Sequence, residues 1–278
     1  MHAQEHVALS ADGVPIHYDV HGNGAIALVF VHGWCCDRRY WDRQAAHFAP
    51  HYTVVCLDLA GHRASGRDRT TWTVPAFGKD VVAVVKQLGL EQVVLIGHSS
   101  GGSVIVEAAR RLPTAVIGLV GADTWPTVGQ TRTPAQIAEV LAPFRANFVE
   151  AMRTFARNLF VSTSDPTLVE QVAVAMSAAP PHIGIGAREE GMRNDRNVEE
   201  GLQEVKAPKI TINAESWRPT NREAMQRHGI AVMRMSGVGH FVMLEDPPTF
   251  NRLLDEAVQQ CLHARAPQEE PQPRVGLA

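Results

Sequence analysis

Gly97-His98-Ser99-Ser100-Gly101-Gly102 is the stretch that decides the fold of this chain of 278 residues. It follows an apolar run at residues 92–96 and precedes a helical pattern at residues 103–111, which predicts a sharp turn between a buried strand and a helix. The stretch matches the pattern G-x-S-x-G in the context that this pattern requires. The turn forces the serine into a strained backbone conformation and exposes its hydroxyl.

Ser99 is the candidate nucleophile because Gly97 and Gly101 stand two positions before and after it, where side chains would clash. Ser100 is out of this register. Its backbone N–H is instead expected to stabilise the negative charge that develops on the oxygen of an attacked carbonyl group. A serine hydroxyl is a weak nucleophile at neutral pH, so this chemistry also needs a general base.

A second donor for that oxygen is predicted in His32-Gly33-Trp34, which follows the apolar run at residues 26–31. Gly33 allows a close approach of the backbone, and the backbone N–H of Trp34 is the candidate donor. We expect His32 and His98 to hold loops together rather than to transfer protons.

His240 is the candidate general base among 13 histidines. It lies in Ser236-Gly237-Val238-Gly239-His240-Phe241, between the last predicted strand and the last predicted helix. In a doubly wound sheet such a loop lies at the carboxyl edge, the same edge as the Ser99 turn. Gly237 and Gly239 permit a loop that projects the imidazole ring inward.

The pattern along the chain predicts an α/β fold, since short apolar runs alternate with longer amphipathic ones. Ala11-Asp12-Gly13 between two extended runs predicts a hairpin. Pro247 at the first helical position, after Asp246 as a cap, predicts the start of the last helix. The predicted strands are residues 6–9, 15–21, 26–31, 52–57, 92–96, 116–120, 209–213 and 231–235, and the predicted core helices are 74–88, 103–111 and 246–263. These elements predict a mostly parallel eight-stranded sheet flanked by helices.

A long excursion follows the sixth strand, with helical patterns at residues 134–160, 166–177 and 188–205. We expect a helical cap over the sheet, residues 124–205, inserted into a core formed by residues 1–123 and 206–263. Residues 264–278 are rich in Pro, Gln and Glu, and we expect a disordered tail because such a segment buries little apolar surface.

Composition excludes several classes of function. A net charge of −3 with 20% charged residues argues against nucleic-acid and membrane-surface partners. The first ten residues lack a basic stretch followed by an apolar run, and no apolar run is long enough to span a bilayer, so we expect neither a signal peptide nor a membrane span. The four cysteines match no zinc or disulfide pattern. We therefore expect a cytoplasmic monomer or homodimer with reduced thiols, in which Cys35 and Cys36 act as small buried apolar residues.

Several motifs in this order resemble the α/β-hydrolase fold family in its serine esterase and lipase-like branch, over about residues 5–263. The resemblance rests on His32-Gly33-Trp34, Leu57-Asp58-Leu59-Ala60-Gly61-His62, residues 97–102, Gly237-Val238-Gly239-His240-Phe241 and Leu244-Glu245-Asp246-Pro247. It implies a Ser–His–acid triad, an oxyanion hole and no cofactor. Serine rather than aspartate at position 99 argues against the chemistry of the dehalogenases and epoxide hydrolases in this family.

The acid of the triad is where the chain departs from the family. Relatives usually carry Gly-Glu-x-Asp after the strand that follows the cap, whereas this chain has Ala214-Glu215-Ser216-Trp217. Trp217 therefore stands where the resemblance places the aspartate. Asp123, at the end of the sixth strand, matches an alternative acid site of the family and is the favoured candidate, while Glu215 remains the alternative. A carboxylate is needed to fix the tautomer of His240 and to stabilise its imidazolium form.

The resulting expectation is a serine hydrolase that cleaves a small or medium, largely apolar carboxylic ester or lactone through an acyl-enzyme on Ser99, with His240 as base. A lactonase, amidase, C–C-bond hydrolase or perhydrolase would use the same triad, and a ligand receptor with slow turnover would keep the same cavity. The sequence does not distinguish these alternatives, because the shape of the cavity decides specificity.

Overall fold

The computed structural model describes residues 4–125, 128–129, 131–215, 217 and 219–265. Their central feature is one eight-stranded sheet with strand order β1-β2-β4-β3-β5-β6-β7-β8. The strands are β1 (Gln4–Leu9), β2 (Pro15–His21), β3 (Ala27–Val31), β4 (Thr53–Leu57), β5 (Val93–His98), β6 (Val116–Ala122), β7 (Lys209–Ala214) and β8 (Ile230–Met235). Each predicted strand is present within two residues at either end.

The sheet is mostly parallel, as predicted. β1 and β2 form the hairpin expected at Asp12-Gly13, and β2 is also antiparallel to β4. The pairs from β4 through β3, β5, β6 and β7 to β8 are all parallel. Every residue of β3, β5 and β6 is buried, since parallel strands are covered by helices on both faces. The carboxyl ends of these three strands consequently lie side by side.

Helices cover both faces of the sheet. Those of the core are α1 (Asp42–Phe48), α2 (Val74–Gln87), α3 (Gly101–Arg111), α9 (Arg222–Arg227), α10 (Val242–Glu245) and α11 (Pro247–Arg265). The Asp246 carboxylate accepts from Thr249 N at 3.1 Å and caps α11, as predicted. Because α11 continues to Arg265, the first two residues of the expected tail are helical. Residues 266–278 lie outside the described residues.

Between β6 and β7 the described residues form five helices and no strand. They are α4 (Pro134–Ala146), α5 (Phe148–Arg157), α6 (Pro166–Ser177), α7 (Pro181–Arg193) and α8 (Asp195–Glu204), and we call them the cap. None of the described helices of the chain is long and apolar enough to cross a membrane. The predicted division into a core (1–123 and 206–263) and a cap (124–205) remains a proposal.

Two helix predictions in the cap were wrong in extent. The pattern at 134–160 is two helices, because Asn147 adopts an extended conformation and its side chain accepts from Glu150 N to cap α5. The pattern at 188–205 is the end of α7 followed by α8, with a break at Asn194. α7 begins at Pro181, earlier than predicted, because proline at the first helical position costs no hydrogen bond.

Candidate active site

The turn after β5 places Ser99 in the left-handed region, with φ +53°. A side chain on Gly97 would lie 2.6 Å from the carbonyl oxygen of Gly101, and one on Gly101 would lie 2.6 Å from that of His32. Both glycines are therefore required by the turn. Ser100 caps α3, so its N–H is one of the helix-terminal donors without an intrahelical partner.

Backbone strain is concentrated around this turn. The other non-glycine residues with positive φ among those described are Cys35, Arg63, Asp123 and Trp125, and all of them lie in loops after β3, β4 and β6. Such conformations cost about 1–3 kcal/mol each and cluster at functional sites. The loops at the carboxyl edge of the sheet are thus held in conformations that other parts of the fold must stabilise.

His240 and Asp123 form a direct pair, with 2.6 Å between Nδ1 and Oδ2. The other carboxylate oxygen of Asp123 accepts from Ala214 N at 2.9 Å, and the Asp123 N–H donates to Ile212 O. Asp123 is therefore held against β7 from both its backbone and its side chain. With Nδ1 donating to the carboxylate, Nε2 of His240 is left as an acceptor, the form that a general base requires.

Glu215, the alternative acid, lies in a different environment. Its carboxylate accepts from Ser236 Oγ at 2.7 Å and lies 3.9 Å from Arg234, and its side chain is 49% exposed. The Trp217 ring lies at 4.6 Å from the His240 ring, with Nε1 donating to Asn158 O in the cap. Trp217 thus packs on the histidine where the resemblance predicted an acid.

The loop around His240 is held by His98 and by two partners to which the sequence reasoning assigned no role, Leu159 and Glu245. The His240 N–H donates to Leu159 O of the cap at 2.7 Å, and His98 Nε2 donates to His240 O at 3.1 Å. One carboxylate, Glu245, accepts from Gly239 N at 2.9 Å, Phe241 N at 3.2 Å and Ser164 Oγ at 2.6 Å. Glu245 belongs to a motif that the resemblance used, so its spacing from His240 was a signal available in the sequence.

Thr124 fixes the serine turn from the neighbouring strand. Its hydroxyl donates to Ser99 O at 2.6 Å, and a side chain on Gly102 would lie 2.3 Å from that hydroxyl.

His32 links two loops, because Nδ1 donates to Gly33 O and Nε2 accepts from Leu59 N. The prediction that His32 and His98 hold loops together is confirmed by these contacts.

Ser99, Ser100, Trp34, Asp123 and His240 all line one cavity of about 200 Å³. A smaller cavity of about 20 Å³ adjoins it and is also lined by Ser99 and His240. Its other walls are mainly apolar and come from the cap and the sheet edge: Trp34, Cys36, Phe155, Leu159, Met176 and Phe241. The described structure therefore brings all five predicted site residues together, with the serine between a larger and a smaller space.

Burial keeps two histidines and two cysteines near the site neutral. It lowers the pKa of His98 well below its ordinary value, helped by the neighbouring His240, and lowers the pKa of His62 to about 3. Burial also raises the pKa of the Cys35 and Cys36 thiols, so they stay protonated and are poor nucleophiles. The four cysteines are free thiols and buried; burial was predicted for Cys35 and Cys36.

Two arginines of the insertion line the larger cavity. Arg188, on α7, also lines the smaller one. Its guanidinium carbon lies 5.0 Å from the Trp34 ring centroid and 5.6 Å from that of Phe155. Arg132 also lines a second pocket at the surface, which places it between the cavity and the outside. Sequence reasoning missed both, since nothing local marks an arginine that points into a cavity.

Curated relatives match this chain over half of its length or less. A non-heme chloroperoxidase from Streptomyces lividans is 33% identical over 143 residues, which are 49% of this chain and 52% of that protein. The chain spans about half or less of the length of the first curated relatives that it matches.

Solved structures match nearly the whole chain. An N-acyl homoserine lactone degrading enzyme superposes with a TM-score of 0.78 at 24% identity, covering 90% of this chain and 99% of its own. A thermophilic esterase from Thermogutta terrifontis superposes with a TM-score of 0.79 at 23% identity, covering 93% and 99%. At these identities the likeness shows a shared fold. The model of the alpha/beta hydrolase family matches residues 28–253, so this chain belongs to the alpha/beta hydrolase family.

Proposed function

We propose that the protein is a serine hydrolase that cleaves a carboxylic ester or lactone through an acyl-enzyme on Ser99. The observation that carries the proposal is the His240–Asp123 pair in the wall of the cavity that also contains the strained Ser99 turn. A nucleophile, a base and an orienting acid are the three parts that this chemistry requires.

In the first half of the reaction, His240 Nε2 takes the proton of the Ser99 hydroxyl as Oγ attacks the carbonyl carbon of the substrate. The carbonyl oxygen becomes negatively charged, and the tetrahedral intermediate then expels the alcohol. His240 gives its proton to that alcohol, and an ester bond to Ser99 remains. Asp123 stabilises the imidazolium that exists between the two proton transfers, without itself becoming protonated.

In the second half, His240 takes a proton from water, whose oxygen attacks the acyl-enzyme. The ester bond to Ser99 breaks, the proton returns to Oγ, and the carboxylic acid leaves. We assign the negative oxygen in both halves to the backbone N–H groups of Trp34 and Ser100. A donor of this kind contributes about 3 kcal/mol in a well-studied protease.

The neighbours favour carbonyl chemistry of this type, since one degrades acyl homoserine lactones and another is an esterase. The chloroperoxidase relative makes perhydrolysis, in which peroxide replaces the water of the second half, the second candidate. The two reactions share the acyl-enzyme, so one first experiment tests their common part.

That experiment is hydrolysis of p-nitrophenyl acetate and butyrate by the wild type, Ser99→Ala and Ser100→Ala. Ser99→Ala should lose about 10³-fold or more of kcat/KM. Ser100→Ala keeps the backbone N–H and should stay close to the wild type, which makes it a matched control on an exposed neighbour. A wild type no faster than Ser99→Ala would overturn the esterase proposal.

A further inference from the structure

We infer that the substrate carries a carboxylate away from the scissile bond and that Arg188 binds this carboxylate. The inference rests on the proposed function and specifies its substrate class. It departs from the largely apolar ester that the sequence suggested, because the side chains that line the cavity are not uniformly apolar.

Arg188 faces the reacting serine from the cap. It lies in the walls of both cavities, and the residues that share both walls with it are Trp34, Ser99 and His240. Arg188 therefore lines whichever cavity holds the longer part of a substrate whose carbonyl carbon lies at Ser99.

The guanidinium group is held in place by aromatic rings. It lies over Trp34 and Phe155 at 5.0 and 5.6 Å, and these two rings pack edge to face at 5.4 Å. Trp34 Nε1 donates to Gly184 O at 2.7 Å. Since Gly184 precedes Arg188 by four residues on one face of α7, this bond fixes the helix face that carries the arginine. A preorganised guanidinium loses less conformational entropy when it binds a ligand.

The charges that line the cavity are complementary to an anion. Among the described residues in its wall, the side chains with a full charge at neutral pH are Arg132, Arg188 and Asp123. Both oxygens of Asp123 already accept hydrogen bonds, from His240 and Ala214, and its charge is required for the imidazolium. The wall formed by the cap is therefore positive, with Arg188 inside and Arg132 toward the surface.

Of the polar groups that a substrate could place here, a carboxylate suits the Arg188 guanidinium better than a neutral group. The planar guanidinium presents N–H donors in a fork that matches the two carboxylate oxygens. The Trp34 and Phe155 rings cover part of the guanidinium group, and an anion is attracted more strongly in such a partly desolvated place than in bulk water. Arg132 at the outer pocket would raise the local concentration of anionic substrates.

The test compares two esters of equal acyl length, mono-p-nitrophenyl adipate, which has a terminal carboxylate, and p-nitrophenyl hexanoate, which is neutral. The measured quantity is the ratio of their kcat/KM values after subtraction of spontaneous hydrolysis. Arg188→Gln should lower the adipate-to-hexanoate ratio by about tenfold to a hundredfold. This is the loss of affinity that removal of a hydrogen bond to a charged group usually causes. Circular dichroism and thermal unfolding of Arg188→Gln should match the wild type, which would show that the variant is folded.

Two further variants separate binding from structure. Arg193→Gln removes a charge from the same helix at a surface site that pairs with Glu189, and the ratio should not change. Arg188→Lys retains the charge without the fork and should give an intermediate ratio. Equal losses with both esters in Arg188→Gln, or an unchanged ratio, would overturn the inference.

An equilibrium measurement makes the inference independent of turnover. Calorimetric titration of Ser99→Ala with adipate should give a dissociation constant that Arg188→Gln weakens about tenfold or more. If the wild type cleaves neither ester faster than Ser99→Ala, the proposed function fails and this titration alone decides about Arg188. Adipate that binds equally with and without the arginine, or does not bind, would refute the site.

Discussion

Replacing Asp123 by asparagine removes one negative charge from the pair with His240 and leaves nearly the same shape. The carboxylate oxygen lies 2.6 Å from Nδ1, and its other oxygen accepts from Ala214 N. An asparagine can keep the bond from Ala214 with its carbonyl oxygen, and it then turns its amide toward His240. Because an amide N–H donates, Nδ1 must become the acceptor and Nε2 must carry the proton, which is the wrong tautomer for a base.

The size of the effect follows from the distance. Two unit charges 2.6 Å apart attract by about 6 kcal/mol at an effective dielectric constant of ~20. The asparagine dipole recovers part of this attraction. We expect kcat/KM for p-nitrophenyl butyrate to fall by ~10³–10⁴-fold, or about 4–5.5 kcal/mol of transition-state stabilisation.

The matched control is Glu215→Gln, the same change of charge at the other candidate acid. Its carboxylate is half exposed and bonded to Ser236, so we expect a change of less than about twofold. Circular dichroism and thermal unfolding should show that both variants fold. A loss of ~10³-fold in Glu215→Gln with near-normal activity in Asp123→Asn would refute the assignment and give the acid role to Glu215.

Three other outcomes are expected. Glu245→Gln should lower the free energy of unfolding by about 2 kcal/mol and reduce kcat more than it alters KM, because the bonds that Glu245 accepts would lose their charged acceptor. Unchanged unfolding in urea would contradict this role. Burial lowers the pKa of His62 to about 3, from an ordinary value of 6.5, so the unfolded chain binds the extra proton and stability decreases as pH falls from 6.5 to 3. The slope should be about 1.4 kcal/mol per pH unit for this residue, and urea titrations of His62→Gln should show a flatter dependence. The buried thiols of Cys35 and Cys36 should react with dithionitrobenzoate only in denaturant, and rapid labelling of the native protein would show that the loop opens.

Much of the fold could be predicted because strands buried on both faces are continuous apolar runs. β3, β5 and β6 consist almost entirely of such residues, and each is bounded by a polar or glycine-containing turn. The cap was harder to predict, because its breaks depend on single residues. Asn147 ends one helix and caps the next, a choice that periodicity over a long window does not detect.

The site shows the same contrast. Ser99 could be located because its turn has a strict local pattern, and His240 because a glycine-rich loop follows the last strand. Asp123 could only be ranked above Glu215, because the distance of 2.6 Å to His240 depends on the positions of two chain segments 117 residues apart. Arg188 had no local signal at all, because its role follows from which face of α7 meets Trp34.

The backbone bond from His240 to Leu159, together with the bond from Ser164 to Glu245, has a consequence for protein engineering. Grafts that exchange the insertions of related hydrolases to transfer substrate preference would cut through this junction. If the backbone of a donor insertion does not place a carbonyl oxygen where that of Leu159 lies, the His240 N–H loses its acceptor. The histidine loop is then less well held, and the rate should fall for every substrate alike. The safer boundaries leave residues 158–164 with the recipient and exchange α7, which carries Arg188 and Met192 in the wall of the larger cavity.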